Sequence, residues 1–375
     1  MANLFKSFLG GSSKPTLIQI TEQLKEQLTD LESTGEVLKT TISSFFDAVT
    51  KAQEEEVNIS IRSLSDLFFM AEESRSTTAM MICGYLIEQG YDPQLVSDRI
   101  IEKLAYLTES AYAFYQKFKI ELAKQSPVTD DEESDEEDGY ELLEELKEKY
   151  WDEMTDSIIS WNTLEQQYTP AVSVFSLDRS QCIIAENTLE HIGEMAEYNQ
   201  GCYWLNKLFE VLHHEPIVII EPSTSTGVIG YMSGVVDNFQ LQALIMDAFP
   251  HKGSPRISKA YTDLFRGIGP QSLEGSMVCH WNLYNWPVIT EQLLLPDAKD
   301  YSTSTYWIWG EGKPADIGVL DGYRIVLLGE PSYQRSTNLQ RVFNHLQADI
   351  LIEKELTPTE VQNWLSRMYQ AAQQA

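Results

Sequence analysis

The residues best suited to bind an anion lie in a short polar loop near the carboxyl end of the chain. The apolar run 324–328 predicts a strand that ends at Gly329, and the stretch 337–346 predicts a helix. Between them the sequence carries Glu330, Ser332, Arg335 and Ser336. In open α/β sheets, ligands bind beyond the carboxyl ends of strands, where the N–H groups of a following helix attract anions. The pattern therefore predicts Arg335 and Ser336 as anion ligands.

A purely structural interpretation of this loop stays open. In it, Ser336 or Thr337 caps the predicted helix and Arg335 is an ordinary surface cation. The loop has neither the G-x-x-x-x-G-K-[ST] nor the G-x-G-x-x-G pattern, so no nucleotide site is predicted. A second loop, 221–227, is expected to be a turn between two strands, and Asp237 is expected to cap the helix that follows.

Two tryptophans two residues apart form the second candidate region. The stretch 305–309 predicts a strand, on which Trp307 and Trp309 would share one face. We interpret both as structural, with one of them able to line a pocket. The following turn carries Lys313. Aromatic rings close to Lys313 and Arg335 would suit a planar anion or a peptide.

His280 is the best single catalytic candidate among the six histidines. It follows Cys279 in a strand-like run, which directs the two side chains to opposite faces and argues against a local nucleophile and base pair. The alternative is that His280 is a structural residue, buried in the core with its ring nitrogens hydrogen-bonded. The chain has no H-E-x-x-H, C-x-x-C or G-x-S-x-G pattern, so no metal, cofactor or serine nucleophile is predicted. None of its motifs is specific enough to indicate a family.

Charge restricts the class of partner. The chain has 375 residues, 43% of them hydrophobic, and a formal net charge of −30. Such a charge argues against a nucleic-acid partner, because binding nucleic acid needs a basic protein surface that displaces counterions from the phosphates. It favours a basic protein partner, or it serves solubility alone.

No apolar run is long enough to span a bilayer, and residues 1–15 are expected to be a flexible terminus. A cytoplasmic location is expected.

An acidic segment is predicted to divide the chain. Eight carboxylates fall within residues 130–138, interrupted only by Ser134, and their repulsion predicts a solvated linker over 126–140. Residues 16–125 show helical spacing of apolar residues, beginning with a seven-residue repeat from Leu17 that suggests coiled-coil packing. Gly35 interrupts that repeat, and a helical hairpin or a kink is expected near residues 33–35. Several long helices with short connections favour an antiparallel helical bundle domain.

Residues 141–375 are predicted to form an α/β or α+β domain, a mixed sheet flanked by helices. Short β-rich runs begin at positions 171, 217, 228, 277, 305, 324 and 349, and helical windows cover about 190–212, 237–249, 337–346 and 359–372. Asp321 and Gly322 form a strong two-residue hairpin signal. The segment from Thr357 to Glu360 is predicted to be a capping box.

These features favour an acidic cytoplasmic interaction or scaffold protein. Its helical bundle would dock a protein partner, and its C-terminal domain would bind a protein or a small anionic ligand. The first alternative is an enzyme, a transferase or hydrolase of an anionic substrate, with its site in the C-terminal domain. The second alternative is an acidic inhibitor of a basic protein.

Overall fold

A computed structural model describes residues 15–70, 72–125, 132–178, 184–249 and 257–374, and the side chains of residues 132–138 are not described. The predicted flexible terminus, apart from Pro15, and the first part of the predicted linker, 126–131, lie outside the described residues. The chain divides into two compact units, Met1–Asn206 and Lys207–Ala375. A helical region and a unit with a mixed sheet, as the sequence predicts, are both present.

The first unit is helical. Its α-helices are α1 (Leu17–Thr29), α2 (Gly35–Val49), α3 (Glu54–Ser65), α4 (Glu73–Glu88), α5 (Ser97–Gln125), α6 (Glu132–Lys149), α7 (Trp151–Leu177), α8 (Glu186–Met195) and α9 (Gln200–Phe209), which runs into the second unit. Short 3-10 helices cover Asp66–Phe69 and Pro93–Leu95.

Of the two alternatives near residues 33–35, a kink is excluded, because α1 ends at Thr29 and a separate helix, α2, begins at Gly35. The chain leaves α1 at Asp30, and Thr34 caps α2 by accepting a hydrogen bond from Val37 N. Arg75 of α4 reaches this connection, and its Nη1 donates to the carbonyl oxygens of Gln27 (2.7 Å) and Asp30 (2.8 Å). Carbonyls at a helix C-terminus lack intrahelical donors, so this arginine stabilises the end of α1.

The division between the units lies at 206–207, whereas the sequence analysis placed it at 126–140. The predicted linker overlaps α6, which begins at Glu132. Helix α7 packs against α4 and α5, so the chain after the acidic segment continues the helical unit. The contact of α4 with α7 is close, because a Cβ added at Gly84 would lie 2.8 Å from Pro170 Cβ.

The strand predicted from position 171 is wrong, since these residues form the last two turns of α7. The run AVSVFSL is β-rich in composition, but five of its first six residues, including Ala171, Val174 and Phe175, are buried among the other helices. A short apolar run suits either a buried strand or a buried helix, and burial by distant segments decides between them.

Gly84 provides a test of the α4–α7 contact. Gly84→Val is expected to destabilise the helical unit by about 1–3 kcal/mol, because the added atoms must displace Pro170 from a packed contact. Gly35→Ala is the matched control, since a Cβ at Gly35 meets nothing within 4 Å. It should leave stability unchanged or raise it by up to about 1 kcal/mol. Urea denaturation followed by circular dichroism measures both. Equal midpoints for the two variants would contradict the close α4–α7 contact.

The second unit contains a mixed sheet flanked by helices. Its strands are β1 (Glu215–Glu221), β2 (Thr226–Ser233), β3 (Ser272–Val278), β4 (Asn282–Tyr284), β5 (Val319–Leu320), β6 (Tyr323–Gly329), β7 (Ser336–Gln340) and β8 (Asp349–Leu356). Its helices are α10 (Asn238–Ala248), α11 (Lys259–Phe265) and α12 (Pro358–Ala372), with 3-10 helices at Pro222–Thr224, Trp286–Val288, Tyr301–Tyr306 and Pro314–Asp316.

The larger sheet has the strand order β4-β6-β1-β2-β8, with β5 paired to β6. Strands β1 and β6 are parallel, and the other pairs of this sheet are antiparallel. One face packs on α10 and α11 through residues such as Ile219 and Leu244, and the other packs on α12 through residues such as Ile220 and Leu365. Both faces of the central strands are therefore buried, which explains their continuous apolar runs.

Several local predictions in this unit are confirmed. The turn 221–227 joins β1 to β2, and Asp237 caps α10 by accepting from Gln240 N (2.8 Å). Asp321 (φ 52°) and Gly322 (φ 81°) form the turn between β5 and β6. Residues with positive φ are rare outside Gly, Asn and Asp, so this dipeptide fixes the hairpin.

Two predicted elements near the candidate site are wrong. The helix predicted over 337–346 is absent, because Ser336–Gln340 forms β7 and pairs with β3 in a separate two-stranded sheet. The strand predicted over 305–309 is replaced by the 3-10 helix Tyr301–Tyr306 and a single bridge at Trp307. In both cases a long-range contact outweighs the local preference.

The predicted capping box at the start of α12 is confirmed. Thr357 Oγ1 accepts from Glu360 N (3.3 Å), and Thr357 N donates to Glu360 Oε2 (2.8 Å). Hydrogen bonds from Lys354 and then from Thr357 lower the pKa of Glu360 to about 2.

This depressed pKa predicts a loss of stability in acid. Because the folded-state pKa lies below the ordinary value of 4.5, the stabilisation is complete above pH 4.5 and disappears as the pH falls towards 2. Glu360→Gln should flatten the fall of Tm in that window, whereas Glu353→Gln, at an exposed position of β8, should retain the wild-type slope. Differential scanning calorimetry at a series of pH values measures both. Identical slopes in the two variants would exclude the role of Glu360.

Candidate functional site

The structure brings Arg335 onto the two predicted tryptophans. The centre of its guanidinium group, Cζ, lies 5.3 Å from the ring centroid of Trp307 and 4.6 Å from that of Trp309. A third ring, Tyr333, lies 5.1 Å away, and Arg335 Nε donates to its hydroxyl oxygen (2.9 Å). A guanidinium group on ring faces gains about 0.5–1 kcal/mol per contact at exposed sites, so the three rings fix the position of the cation.

Long-range pairing positions these side chains. Trp307 bridges to Tyr284 of β4, and Ile308 N donates to the carbonyl oxygen of Leu283 (2.9 Å). Arg335 precedes β7, and its carbonyl oxygen accepts from Cys279 N (3.0 Å) at the end of β3. The site therefore lies where β3 leads into β4, and Arg335 itself does not stand at a helix N-terminus.

The turn after Trp309 is fixed on the start of α10. Asn238 N and Phe239 N donate to the carbonyl oxygens of Gly312 and Gly310, each at 3.0 Å, and Asn238 Nδ2 donates to that of Trp309 (2.8 Å). A Cβ at Gly310 would lie 2.3 Å from the ring of Phe239, so glycine is required for this close approach.

Much of the aromatic surface is exposed. Trp307 is buried, but Tyr301, Trp309 and Tyr333 keep 56%, 46% and 45% of their surfaces exposed. The ring centroids of Trp307 and Trp309 are 5.3 Å apart, and those of Tyr301 and Trp307 are 5.8 Å apart. We call Tyr301, Trp307, Trp309, Tyr333 and Arg335 the aromatic–arginine patch. Exposed clusters of large apolar rings mark interaction sites more often than scattered ones do.

Arg335 differs from the other described arginines of the second unit. Each of the others donates to a carboxylate or a main-chain carbonyl oxygen: Arg266, Arg324, Arg341 and Arg367. Within the described residues, Arg335 has no carboxylate within 4.0 Å, and its Nη2 has no hydrogen-bond partner. In a chain with 57 acidic and 27 basic residues, an arginine without a counter-ion is suited to bind an anion from elsewhere.

The other predicted site residues are placed differently. Lys313 forms an ion pair with Glu210 (2.6 Å), so its charge is already neutralised. Glu330 lies outside the aromatic–arginine patch and lines a cavity of about 490 Å³, together with Tyr284, Gly329 and Leu295. Ser336 is exposed in β7, and the Oγ of Ser332 is buried without a partner among the described residues. The ring of His280 lies 5.9 Å from that of its neighbour Trp281.

Cys279 is not suited to nucleophilic chemistry. Burial raises the pKa of its thiol to about 11, an effect that the nearby Glu311 reinforces and Arg335 only partly opposes. The thiolate is the reactive form of cysteine, so the raised pKa disfavours nucleophilic attack by this thiol at neutral pH. Burial also raises the pKa of Cys83 and Cys202.

Sequence reasoning missed Tyr333 and Tyr301. Tyr333 stands two residues before Arg335, and the i, i+2 spacing in extended chain could have indicated it. Tyr301 carries no such signal, because it reaches the patch through the 3-10 helix before Trp307.

A second polar cavity, of about 640 Å³, lies in the helical unit. The side chain of Lys103 at its edge is only 1% exposed, and its Nζ lies 2.7 Å from Glu73 Oε2. The same nitrogen lies 5.7 Å from the ring centroid of Phe69 and 5.3 Å from that of Tyr106. The sequence analysis did not predict Lys103.

Within the described ranges, no group of three or more His, Cys, Asp and Glu side chains is arranged to hold a metal ion. No helix in that part of the chain has the length and apolar character needed to cross a bilayer. A comparison of the chain with protein-family models, with curated proteins and with solved structures finds no match.

Proposed function

We propose that the protein is an interaction protein whose sheet-containing unit binds a carboxylate-bearing segment of a partner at the aromatic–arginine patch. The observation that carries this proposal is the contact of the Arg335 guanidinium group with the rings of Trp307, Trp309 and Tyr333 without a carboxylate partner. The rings hold the guanidinium group in place and its Nη2 is unpaired, so a carboxylate that reaches this nitrogen binds with little further loss of entropy.

The composition of the patch supports a protein or peptide ligand. Tryptophan, tyrosine and arginine are the residues that contribute most to binding energy at protein interfaces. The rings of Trp309 and Tyr333 offer apolar contact area, and Arg335 offers a charge-assisted hydrogen bond. A single carboxylate suits this site better than a polyanion, because the net charge of −30 repels polyanions at long range.

The helical unit is proposed to dock a second protein. Its helices are proposed to form an antiparallel bundle, since short connections such as 30–34 favour antiparallel neighbours. Phe69 and Tyr106 keep 44% and 52% of their surfaces exposed beside the 640 Å³ cavity, which offers contact area for that partner. A cytoplasmic location is proposed because Cys83, Cys202 and Cys279 are free thiols.

A random heptapeptide library displayed with free C-termini tests the proposal for the patch. Selection is made on the intact wild-type chain, with counter-selection on the variant Trp309→Ala. We expect enriched peptides that carry a carboxylate next to an aromatic or apolar residue. Enriched peptides that bind Trp309→Ala as tightly as the wild type, or no enrichment at all, would rule out the patch as a binding site.

A further inference from the structure

The side chain of Asn282 is buried without hydrogen bonds in β4, two residues before Tyr284, whose ring contacts Trp307 of the aromatic–arginine patch. The Asn282 side chain is 2% exposed, and neither Oδ1 nor Nδ2 has a partner among the described residues. Buried polar groups are almost always paired, and an unpaired one costs about 1–3 kcal/mol. An asparagine that leaves both ends of its amide unpaired therefore needs an explanation.

Strand pairing places Asn282 in the strand that bridges to Trp307. On one side it pairs with Gly329 of β6, where the side chains of Tyr284 and Leu295 fill the space that a Cβ would need. On the other side Tyr284 forms a single antiparallel bridge with Trp307, and Ile308 N donates to the carbonyl oxygen of Leu283, so the chain after Trp307 runs along β4 in the direction of Asn282. Residues two apart in a strand share a face, and Asn282 thus lies on the face of Tyr284, whose ring contacts that of Trp307 (6.4 Å).

Three other buried polar atoms, in the segments 307–309 and 332–335, also lack partners in the described chain. They are Trp307 Nε1, Arg335 Nη2 and Ser332 Oγ. Trp307 Nε1 and Arg335 Nη2 are donors only, and Asn282 adds a further donor and one acceptor. This set matches a carboxylate that adjoins an amide N–H, because the donors bind the carboxylate oxygens and Asn282 Oδ1 accepts the N–H.

We propose that this cluster is a recognition site for the C-terminus of a peptide. Arg335 and Trp307 bind the terminal carboxylate, and the amide of Asn282 pairs with the last peptide group. These atoms have no contact with solvent, so the loop 330–335 must move aside for the ligand to enter. The inference rests on the proposed function and narrows it from any carboxylate to a free chain end.

The variant Asn282→Asp tests the cluster without a ligand. It keeps the volume of the side chain and supplies an internal carboxylate to Arg335 and Trp307. We expect Tm at neutral pH to rise by about 2–4 °C and the rise to vanish in the Arg335→Ala background. Asn199→Asp is the matched control, because Asn199 is equally buried but donates to Trp161 O (3.1 Å) and accepts from Cys202 N (3.0 Å). That variant should lower Tm.

Binding is tested with N-benzoylglycine, which carries a free carboxylate next to an amide, and with its C-terminal amide. The readout is the indole N–H resonance of Trp307 in the full-length protein, assigned with Trp307→Phe. We expect N-benzoylglycine to shift this resonance, its amide to leave it unchanged, and Asn282→Asp to weaken the effect at least about tenfold.

Three results would overturn the inference. They are equal shifts with acid and amide, no shift with N-benzoylglycine up to its solubility limit, and a Tm that falls in Asn282→Asp as it does in Asn199→Asp. The proposed function is judged separately by the heptapeptide selection. Peptides that require Arg335 but bind equally well as acids and as C-terminal amides would leave the proposed function in place and remove only this site.

Discussion

Arg335→Ala is expected to weaken binding of a selected carboxylate peptide by about 30-fold or more, which corresponds to an interface residue worth about 2 kcal/mol. The variant removes the cation of the patch, and it also removes the group that covers Trp307 and Trp309. Arg335→Lys should retain part of the affinity, because lysine keeps the charge but neither stacks on the rings nor offers a planar pair of donors. Isothermal titration calorimetry measures all three proteins.

Arg367 offers a matched control for this prediction. Its guanidinium group lies 3.7 Å from the ring centroid of Trp364, so it is also an arginine stacked on a tryptophan. Its Nη1, however, is already bonded to Asp321 (2.6 Å). Arg367→Ala should therefore bind the peptide as the wild type does. If Arg335→Ala and Arg367→Ala bind equally well, the carboxylate does not bind at Arg335.

Lys103→Met is expected to destabilise the helical unit by about 3–5 kcal/mol, the usual cost of removing one member of a buried ion pair. The side chains of Lys103 and Glu73 are only 1% and 16% exposed, so the variant leaves the carboxylate of Glu73 buried without its cation. Methionine keeps most of the apolar volume, which makes lost charge rather than lost packing the main cause. Urea denaturation of the full-length chain measures the loss.

Lys119→Met is the control for the burial argument. Lys119 lies 2.6 Å from Glu194, but the two side chains are 46% and 41% exposed, and such surface pairs contribute about 0–1 kcal/mol. The double variant Lys103→Met with Glu73→Gln should recover part of the stability, because it removes the unpaired charge. A loss in Lys103→Met no larger than that in Lys119→Met would show that burial does not strengthen the pair.

Tertiary contacts decided the division of the chain. The acidic run at 130–138 indicates a solvated linker by composition, but α6 includes most of it and α7 continues the packing of the helical unit. Composition reports the preference of a segment for water or for a core. It does not report which distant helix packs against the next segment. For residues 171–177, packing against α4 and α5 favoured a helix over a strand.

The candidate site shows the same limit. Residue types alone indicated Arg335, Trp307 and Trp309, because an arginine among tryptophans is suited to anions and to interfaces. The expected geometry, with Arg335 at a helix N-terminus, was wrong, since β7 pairs with β3 instead. Asn282 carries no local signal at all, because its importance depends on unpaired atoms that only a folded neighbourhood creates.

The sequence by itself determined the features whose stabilising bonds span only a few residues. These are the break before α2, the caps of α10 and α12, and the Asp321–Gly322 hairpin. Only the tertiary structure decided the pairing of β7, the meeting of Arg335 with its three rings and the burial of Asn282. Contacts of that kind join residues far apart in the chain, and their free energy depends on the surface that both partners lose on folding.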